Sequence, residues 1–168
     1  MPNGEELIER FYGAFARHDG AAMAGCYTPD VVFSDPVFGT LRGPQAGAMW
    51  RMLTGRAKDL HVELLERAAG SDHGSARWRA TYTYTQTGRP VVNDVRATFR
   101  FADGRIAEHA DAFSFHAWAR QALGTPGLLL GWTPVLRATV RRRARQALDD
   151  YMAAPPGHSP PEPVTPDV

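Results

Sequence analysis

From residue 60 onward the apolar side chains recur at every second position, whereas upstream they recur at helical spacing. A chain ordered in this way, helices first and strands after, is directed to the α+β class. Leu60, Val62 and Leu64 alternate with His61 and Glu63. Trp78, Ala80, Tyr82 and Tyr84 then alternate with Arg77, Arg79, Thr81, Thr83 and Thr85, giving an aromatic face and a polar face. Val95, Ala97, Phe99 and Phe101 do the same against Asp94, Arg96, Thr98 and Arg100. Thr87-Gly88-Arg89-Pro90 turns the chain before this strand, and Asp103-Gly104 is a hairpin signal after it, leading into a strand from Arg105 to about His116. Three consecutive antiparallel strands are expected, with the preceding helices covering their apolar face.

Those helices are marked at their ends. Asn3 and Glu6 have the spacing of a capping box, and Leu7, Ile8, Phe11, Tyr12 and Phe15 follow at helical spacing, which predicts a helix over about residues 4–17. A short second helix is predicted from Asp19, with Met23, Cys26 and Tyr27 on its buried side. A third lies between Gly43-Pro44 and Gly55 and carries Ala46, Met49, Trp50 and Leu53. Length sets the scale: 168 residues suffice for one domain with a real core and a pocket. Residues 1–153 are read as that domain. Residues 154–168 hold six prolines and are expected to be disordered.

With 19 basic and 18 acidic residues, no global field draws in nucleic acid or a membrane surface, and neither is expected as a partner. Cys26 stands alone, so a disulfide framework is excluded and a small core residue is expected. The amino terminus lacks the pattern of a signal peptide, so the expected location is cytoplasmic. Beyond the strands, Trp118, Leu123 and Gly127–Trp132 suggest a helix and a tight apolar connection closing over the sheet or a pocket mouth. Leu136, Val140, Ala144, Ala147, Leu148 and Tyr151 then form a helical stripe ringed by Arg137, Arg141, Arg142, Arg143 and Arg145. That basic face is expected to be solvated beside an acidic neighbour.

Two short stretches carry chemistry. Asp35 precedes Pro36, which biases it toward an extended conformation at the exit of a strand whose Val31 and Phe33 face the same side. A carboxyl on an apolar face must be paired, hydrogen-bonded or kept partly protonated, and the last condition suits a group that moves protons. An Asx turn at the Asp-Pro dipeptide is the simpler reading of the same residues. In the last strand, alternation puts Ala107, His109, Asp111, Phe113 and Phe115 on one face and Glu108, Ala110, Ala112 and Ser114 on the other. His109 and Asp111 there can form a hydrogen-bonded unit, act with Asp35 as an acid-base cluster, or simply solvate the wet end of the strand. The six histidines have no metal-site spacing, and no phosphate loop or dinucleotide glycine pattern is present; neither a metal nor a cofactor is implied.

Together, the ordered helices, the segment Tyr27–Gly43 with its Asp-Pro-Val-Phe-Gly, the Gly-Pro helix start and the closing Asp-Gly-Arg-Ile-Ala-Glu-His-Ala-Asp resemble the nuclear transport factor 2-like superfamily, in particular its SnoaL-like branch of polyketide cyclases and ketosteroid isomerase relatives. The resemblance covers roughly residues 4–125. It implies a cone, in which a curved sheet wraps round the first helix and leaves a deep apolar pocket for a small hydrophobic molecule; the β-prone yet polar outer face of Arg77, Arg79, Thr81, Thr83 and Thr98 suits a homodimer between two sheets, as in many relatives of this fold. By that resemblance Asp35 matches the proton-shuttling aspartate of the isomerases, and Asp111 falls near the acid-base aspartate of the cyclases, with His109 on the same wall. The chain departs from the isomerases at Phe11 and Ala97, which replace their oxyanion-hole tyrosine and protonated aspartic acid; Tyr12 is one helical step away.

The faces so aligned gather Phe11, Tyr12, Phe15, Phe33, Trp78, Tyr82, Tyr84, Phe99 and Phe113 around Asp35, His109 and Asp111, a lining for flat, partly oxygenated rings. Two functions are compatible with it. One is a cofactor-independent isomerase, cyclase or hydratase acting by proton transfer; the other is a non-catalytic binding or dimerisation domain of the same fold.

Overall fold

The computed structural model describes residues 3–56 and 58–154. Helix α1 (Gly4–Ala16) opens on the capping box, with Asn3 Oδ1 accepting from the Glu6 backbone N–H and the Glu6 carboxylate accepting from the Asn3 N–H. Asp19 caps α2 (Gly20–Gly25) through the Ala22 N–H. Tyr27, expected on the buried side of this helix, instead begins strand β1 (Tyr27–Asp35), because α2 stops at Gly25 and Cys26 closes it. Cys26 is buried, its thiol donating to the Ala22 carbonyl. A short strand β2 (Gly39–Arg42) and helix α3 (Pro44–Arg56) follow. A Cβ on Gly20 would lie 2.6 Å from the Arg51 Cα, so only glycine permits α2 to lie this close to α3.

The period-two region forms a meander of β3 (His61–Ala69), β4 (His73–Tyr84), β5 (Arg89–Ala102) and β6 (Arg105–Ala112), each antiparallel to the next. At the β5–β6 turn Asp103 and Gly104 both have positive φ, 52° and 71°, the conformation that an Asp-Gly hairpin provides at low cost. The strands are joined in the order β2-β1-β6-β5-β4-β3 into one curved, unclosed sheet. One pairing departs from the antiparallel pattern: β1 lies parallel to β6, with Phe33 beside His109 and Ser34 beside Ala110. Register shifts at Leu64–Glu66 and at Arg100–Phe101 insert an extra residue on one strand, the irregularity that lets a sheet bend.

The last strand is shorter than the sequence suggested. It ends at Ala112, and Ser114 caps helix α4 (Phe115–Leu123) by accepting from the Ala117 N–H, so Phe115 starts a helix and packs with Val91 and Trp118. Helices α5 (Thr125–Leu130) and α6 (Pro134–Ala153) complete the chain. The core lies between the concave face of the sheet and α1, α3 and α6, centred on Ile8, Phe11, Phe33, Met49, Ile106 and Leu148. Leu148 is the fully buried member of the α6 stripe; Ala144, Ala147 and Tyr151 are half-buried beside it. The arginines of α6 are not simply solvated. Arg145 donates to the Phe38 and Thr40 carbonyls at 3.3 and 2.9 Å, and Arg137 lies over the Phe115 ring at 5.2 Å. The proline-rich tail, expected to be disordered, lies outside the described residues except for Ala154. Among the described residues no helix is long and apolar enough to cross a membrane.

Candidate active site

Parity along β6 turns Ala107, His109 and Asp111 into the core while Glu108, Ala110 and Ala112 face out, as the alternation required. Continuing the β1–β6 register one step beyond Ser34 and Ala110 puts Asp35 beside Asp111. Neighbouring strands are about 4.8 Å apart, so the two carboxyl-bearing residues are lateral neighbours on one face. Both line a cavity of about 320 Å³ enclosed by the sheet, α1, α3, α4 and α6.

Behind Asp111 runs a chain of hydrogen bonds. Trp50 Nε1 donates to the Tyr27 hydroxyl at 2.7 Å, that hydroxyl meets His109 Nδ1 at 2.8 Å, and His109 Nε2 meets Asp111 Oδ1 at 2.9 Å. An indole nitrogen only donates, so the Tyr27 oxygen accepts from Trp50 and its own hydrogen goes to His109 Nδ1. The imidazole then carries its hydrogen on Nε2 and donates it to Asp111. Trp78 Nε1 adds a longer bond to the same carboxylate oxygen, at 3.4 Å. His109 is fully enclosed, packed between the rings of Phe11, Phe33, Phe99 and Trp50. Burial also pushes the Tyr27 hydroxyl well above its ordinary value, so it stays protonated and can serve as this donor.

Asp35 answers both readings of its dipeptide. Its Oδ1 accepts from the backbone N–H groups of Val37 and Phe38 at 2.9 and 2.6 Å, which is an Asx turn. Its acidity is also perturbed: desolvation comes first and the Asp111 charge adds to it, while the two turn bonds and the Arg141 charge oppose, leaving the pKa at about 7. At neutral pH Asp35 is therefore poised between its acid and its base form. Tyr82 supplies a third polar group. Its hydroxyl, raised in pKa mainly by burial, accepts from Trp118 Nε1 at 2.8 Å, and its own hydrogen has no acceptor among the described residues.

Of the residues singled out in the sequence, Phe15, Asp35, Trp78, Tyr82, Tyr84, Asp111 and Phe113 line the cavity. Phe11, Tyr12, Phe33, Phe99 and His109 do not. They form the layer behind it, where Phe33 and Phe99 wedge His109 and Tyr12 tilts against Trp78 with ring centroids 5.7 Å apart. Tyr12 does point inward; its hydroxyl is buried and has no hydrogen-bond partner among the described residues. Sequence reasoning missed Tyr27 and Trp50 as polar members of the site; Trp118 and Leu123, expected in a segment closing over the sheet or a pocket mouth, do line the cavity. It also missed that α6 walls the cavity through Leu136, Thr139, Val140, Arg143, Ala144 and Ala147. A signal for the last existed in the helical stripe; none existed for Tyr27, whose partners lie 23 and 82 residues away. Among the described residues no three His, Cys, Asp or Glu side chains come together as a metal site would require.

The description of the SnoaL-like domain matches residues 8–109. Solved structures share the architecture at low identity. A protein of ketosteroid isomerase-like fold from Catenulispora acidiphila, crystallised with trimethylamine, is 18% identical, with 77% of this chain and 98% of that chain covered and a TM-score of 0.64. A protein described as a putative polyketide cyclase from Pseudomonas putida is 18% identical over 73% of this chain and 99% of its own, with a TM-score of 0.61. Another so described, from Xanthomonas campestris, is 21% identical over 68% and 93%, with a TM-score of 0.58. No curated protein sequence matches the chain. With more than half its length matched by the domain family and the cone architecture shared with these neighbours, the chain belongs to the SnoaL-like domain family.

Proposed function

We propose that this protein is a cofactor-independent acid-base enzyme of the isomerase or cyclase type, acting on a small hydrophobic, oxygenated molecule held in the cavity. The observation that carries this reading is the pair Asp35 and Asp111, side by side on one face of the cavity, with Asp35 pushed to about 7. A base and an acid near neutral pH on one wall is the requirement for moving a proton between two positions of one substrate. In this reading the Asp111 carboxylate removes a proton from a C–H beside a carbonyl. The His109 N–H holds the carboxylate in place, the free Tyr82 hydrogen stabilises the oxygen on which charge develops, and protonated Asp35 returns a proton elsewhere on the molecule. Trp78, Tyr84, Phe113 and Phe15 favour a flat ring system. The names of the neighbouring structures, putative polyketide cyclases among them, are in keeping with this reaction class.

One observation favours the alternative of a non-catalytic binding domain: the hydrogen bonds of Asp35 all go to its own turn, a structural use of the carboxyl. Deuterium wash-in separates the two. A panel of cyclic diketones and aromatic ketones is incubated with the protein in deuterated buffer and the C–H signal followed by NMR. Accelerated exchange that drops at least a hundredfold in Asp111→Asn supports the enzyme. Ligands that bind but exchange at the solvent rate leave the binding domain. The outer face of the sheet, where Arg77 pairs with Glu66 and Arg79 with Asp94, is proposed as the face of a homodimer, and light scattering that finds only monomer over a wide concentration range refutes that assembly.

A further inference from the structure

Helix α5 is built inside out. Gly127 is its buried residue, the Gly131 that caps its end is buried too, and a Cβ on Gly127 would fall 1.9 Å from the Ala119 carbonyl oxygen, so this helix presses its glycine side onto α4. The consequence is that its large side chains face water. Leu128, Leu129 and Leu130 are 50%, 62% and 50% exposed, followed by Trp132 at 75% and Val135 at 76%. Five large apolar side chains within eight residues form a surface that an isolated soluble domain gains nothing by exposing, and such surfaces mark interaction sites.

Charge identifies the occupant. The near-neutral whole is an average over two unlike parts: residues 112–148 hold six of the 19 basic residues and none of the 18 acidic ones, so this segment carries +6 and the remainder −5. Arg137 and Arg142 are exposed on α6, within about 11 Å of Val135 along the helix, close to the Debye length of about 10 Å at about 0.1 M salt. A second copy of the same face would bring Arg137 and Arg142 against their own like charges, which disfavours self-association through it. Nucleic acid would satisfy the arginines but give Leu128–Leu130 and Val135 nothing to bind. An anionic bilayer satisfies both: leucines and an indole enter the headgroup boundary while the arginines meet lipid phosphates. We propose that the α5–α6 corner, Leu128 to Val135 with the arginines behind it, docks this protein reversibly on anionic lipid membranes. Leu136, the next residue, lines the cavity, so docking would place an apolar molecule in the bilayer next to the cavity wall.

Trp132 makes the test direct, because the other three tryptophans are buried at 3–6% exposure and the emission change on binding comes from this one. The full chain is mixed with vesicles of phosphatidylglycerol and phosphatidylcholine and followed by flotation and tryptophan emission. Binding with a blue shift is expected for anionic vesicles, weakening with salt. Each arginine near the surface contributes about fivefold. Leu129→Ser with Trp132→Ser should abolish binding, read by flotation, with circular dichroism unchanged. Arg137→Glu with Arg142→Glu should lower affinity at least tenfold, and this second variant decides the matter should the first not fold. Absence of binding to anionic vesicles at low salt overturns the proposal. So does binding that survives both variants, a dimer that the first variant dissociates, or preferential binding of a DNA duplex.

Discussion

Replacing Asp35 by Asn should make the protein more stable at pH 8 and leave it unchanged at pH 4. An unfolded chain releases the Asp35 proton near 3.8, whereas the folded protein holds it to about 7. Below 3.8 both states are protonated. Between 3.8 and 7 only the folded state keeps the proton, so stability falls as pH rises, and above 7 both states are ionised and the loss is complete. At about 1.4 kcal/mol per pH unit, the span from 3.8 to about 7 amounts to roughly 4 kcal/mol, an upper figure because Asp35 is only half-buried. Asparagine keeps an Oδ1 to accept from Val37 and Phe38, so the Asx turn survives while the buried charge does not. Urea unfolding of wild type and Asp35→Asn at half-unit steps from pH 4 to 8 measures the difference directly, and groups titrating equally in both proteins cancel. The two stabilities should coincide at pH 4 and separate by about 2–4 kcal/mol at pH 8, with the variant above. A difference that stays constant across this range, or an NMR titration that puts Asp35 near 3.8, refutes the desolvation argument.

The remaining predictions concern the wall around that carboxyl. Asp111→Asn removes a neighbouring negative charge and should lower the Asp35 pKa, whereas Glu108→Gln, facing out beside Arg100, should leave it in place; a carboxyl titration by NMR compares all three proteins. Tyr27→Phe strips the Trp50 N–H of its acceptor and His109 Nδ1 of its donor inside the core, costing about 2–4 kcal/mol in urea unfolding; the imidazole hydrogen should stay on Nε2, where Asp111 accepts it, while the Nδ1 signal alone moves in the histidine nitrogen spectrum. A chain ending at Thr133 loses Leu148, alone worth about 1.5–3 kcal/mol, and should melt well below one ending at Ala154; equal melting would show that α6 is not part of the domain.

The parts of the fold that could be read in the chain are those decided by near neighbours. The Asn3–Glu6 box, the alternation of β3 to β6, the Asp103-Gly104 turn and the inward parity of His109 and Asp111 each depend on residues a few positions apart. The errors fall where a distant contact overrides a local pattern. Tyr27 continues a helical spacing in sequence, but pairing with Ile106 makes it a strand residue, and only the fold brings it to Trp50 and His109. Phe113 and Phe115 continue the alternation of β6, yet Ser114 between them finds a helix to cap. The same limit separates the lining of the cavity from its backing. Period two tells which face a residue takes, but depth below that face depends on what packs on top, and Phe11, Phe33 and Phe99 are covered.

The parallel seam between β1 and β6 has a consequence for how the carboxyl pair comes and goes. Its two sides are supplied by residues about 76 positions apart, whereas β3 to β6 pair with strands next to them in sequence. Closing so long a loop is the slow part of such a topology, so the meander can stand before the pair exists. In the finished protein β1 has β2 on its other side, and β2 is the sheet's edge, held from behind by the two Arg145 bonds to the Phe38 and Thr40 carbonyls. The β1–β2 hairpin is thus a natural unit of local opening, and its amides should exchange with solvent faster than those of β4 and β5. Each opening carries Asp35 away from Asp111 and floods both with water. The proton affinity that distinguishes Asp35 lasts only as long as that seam is shut.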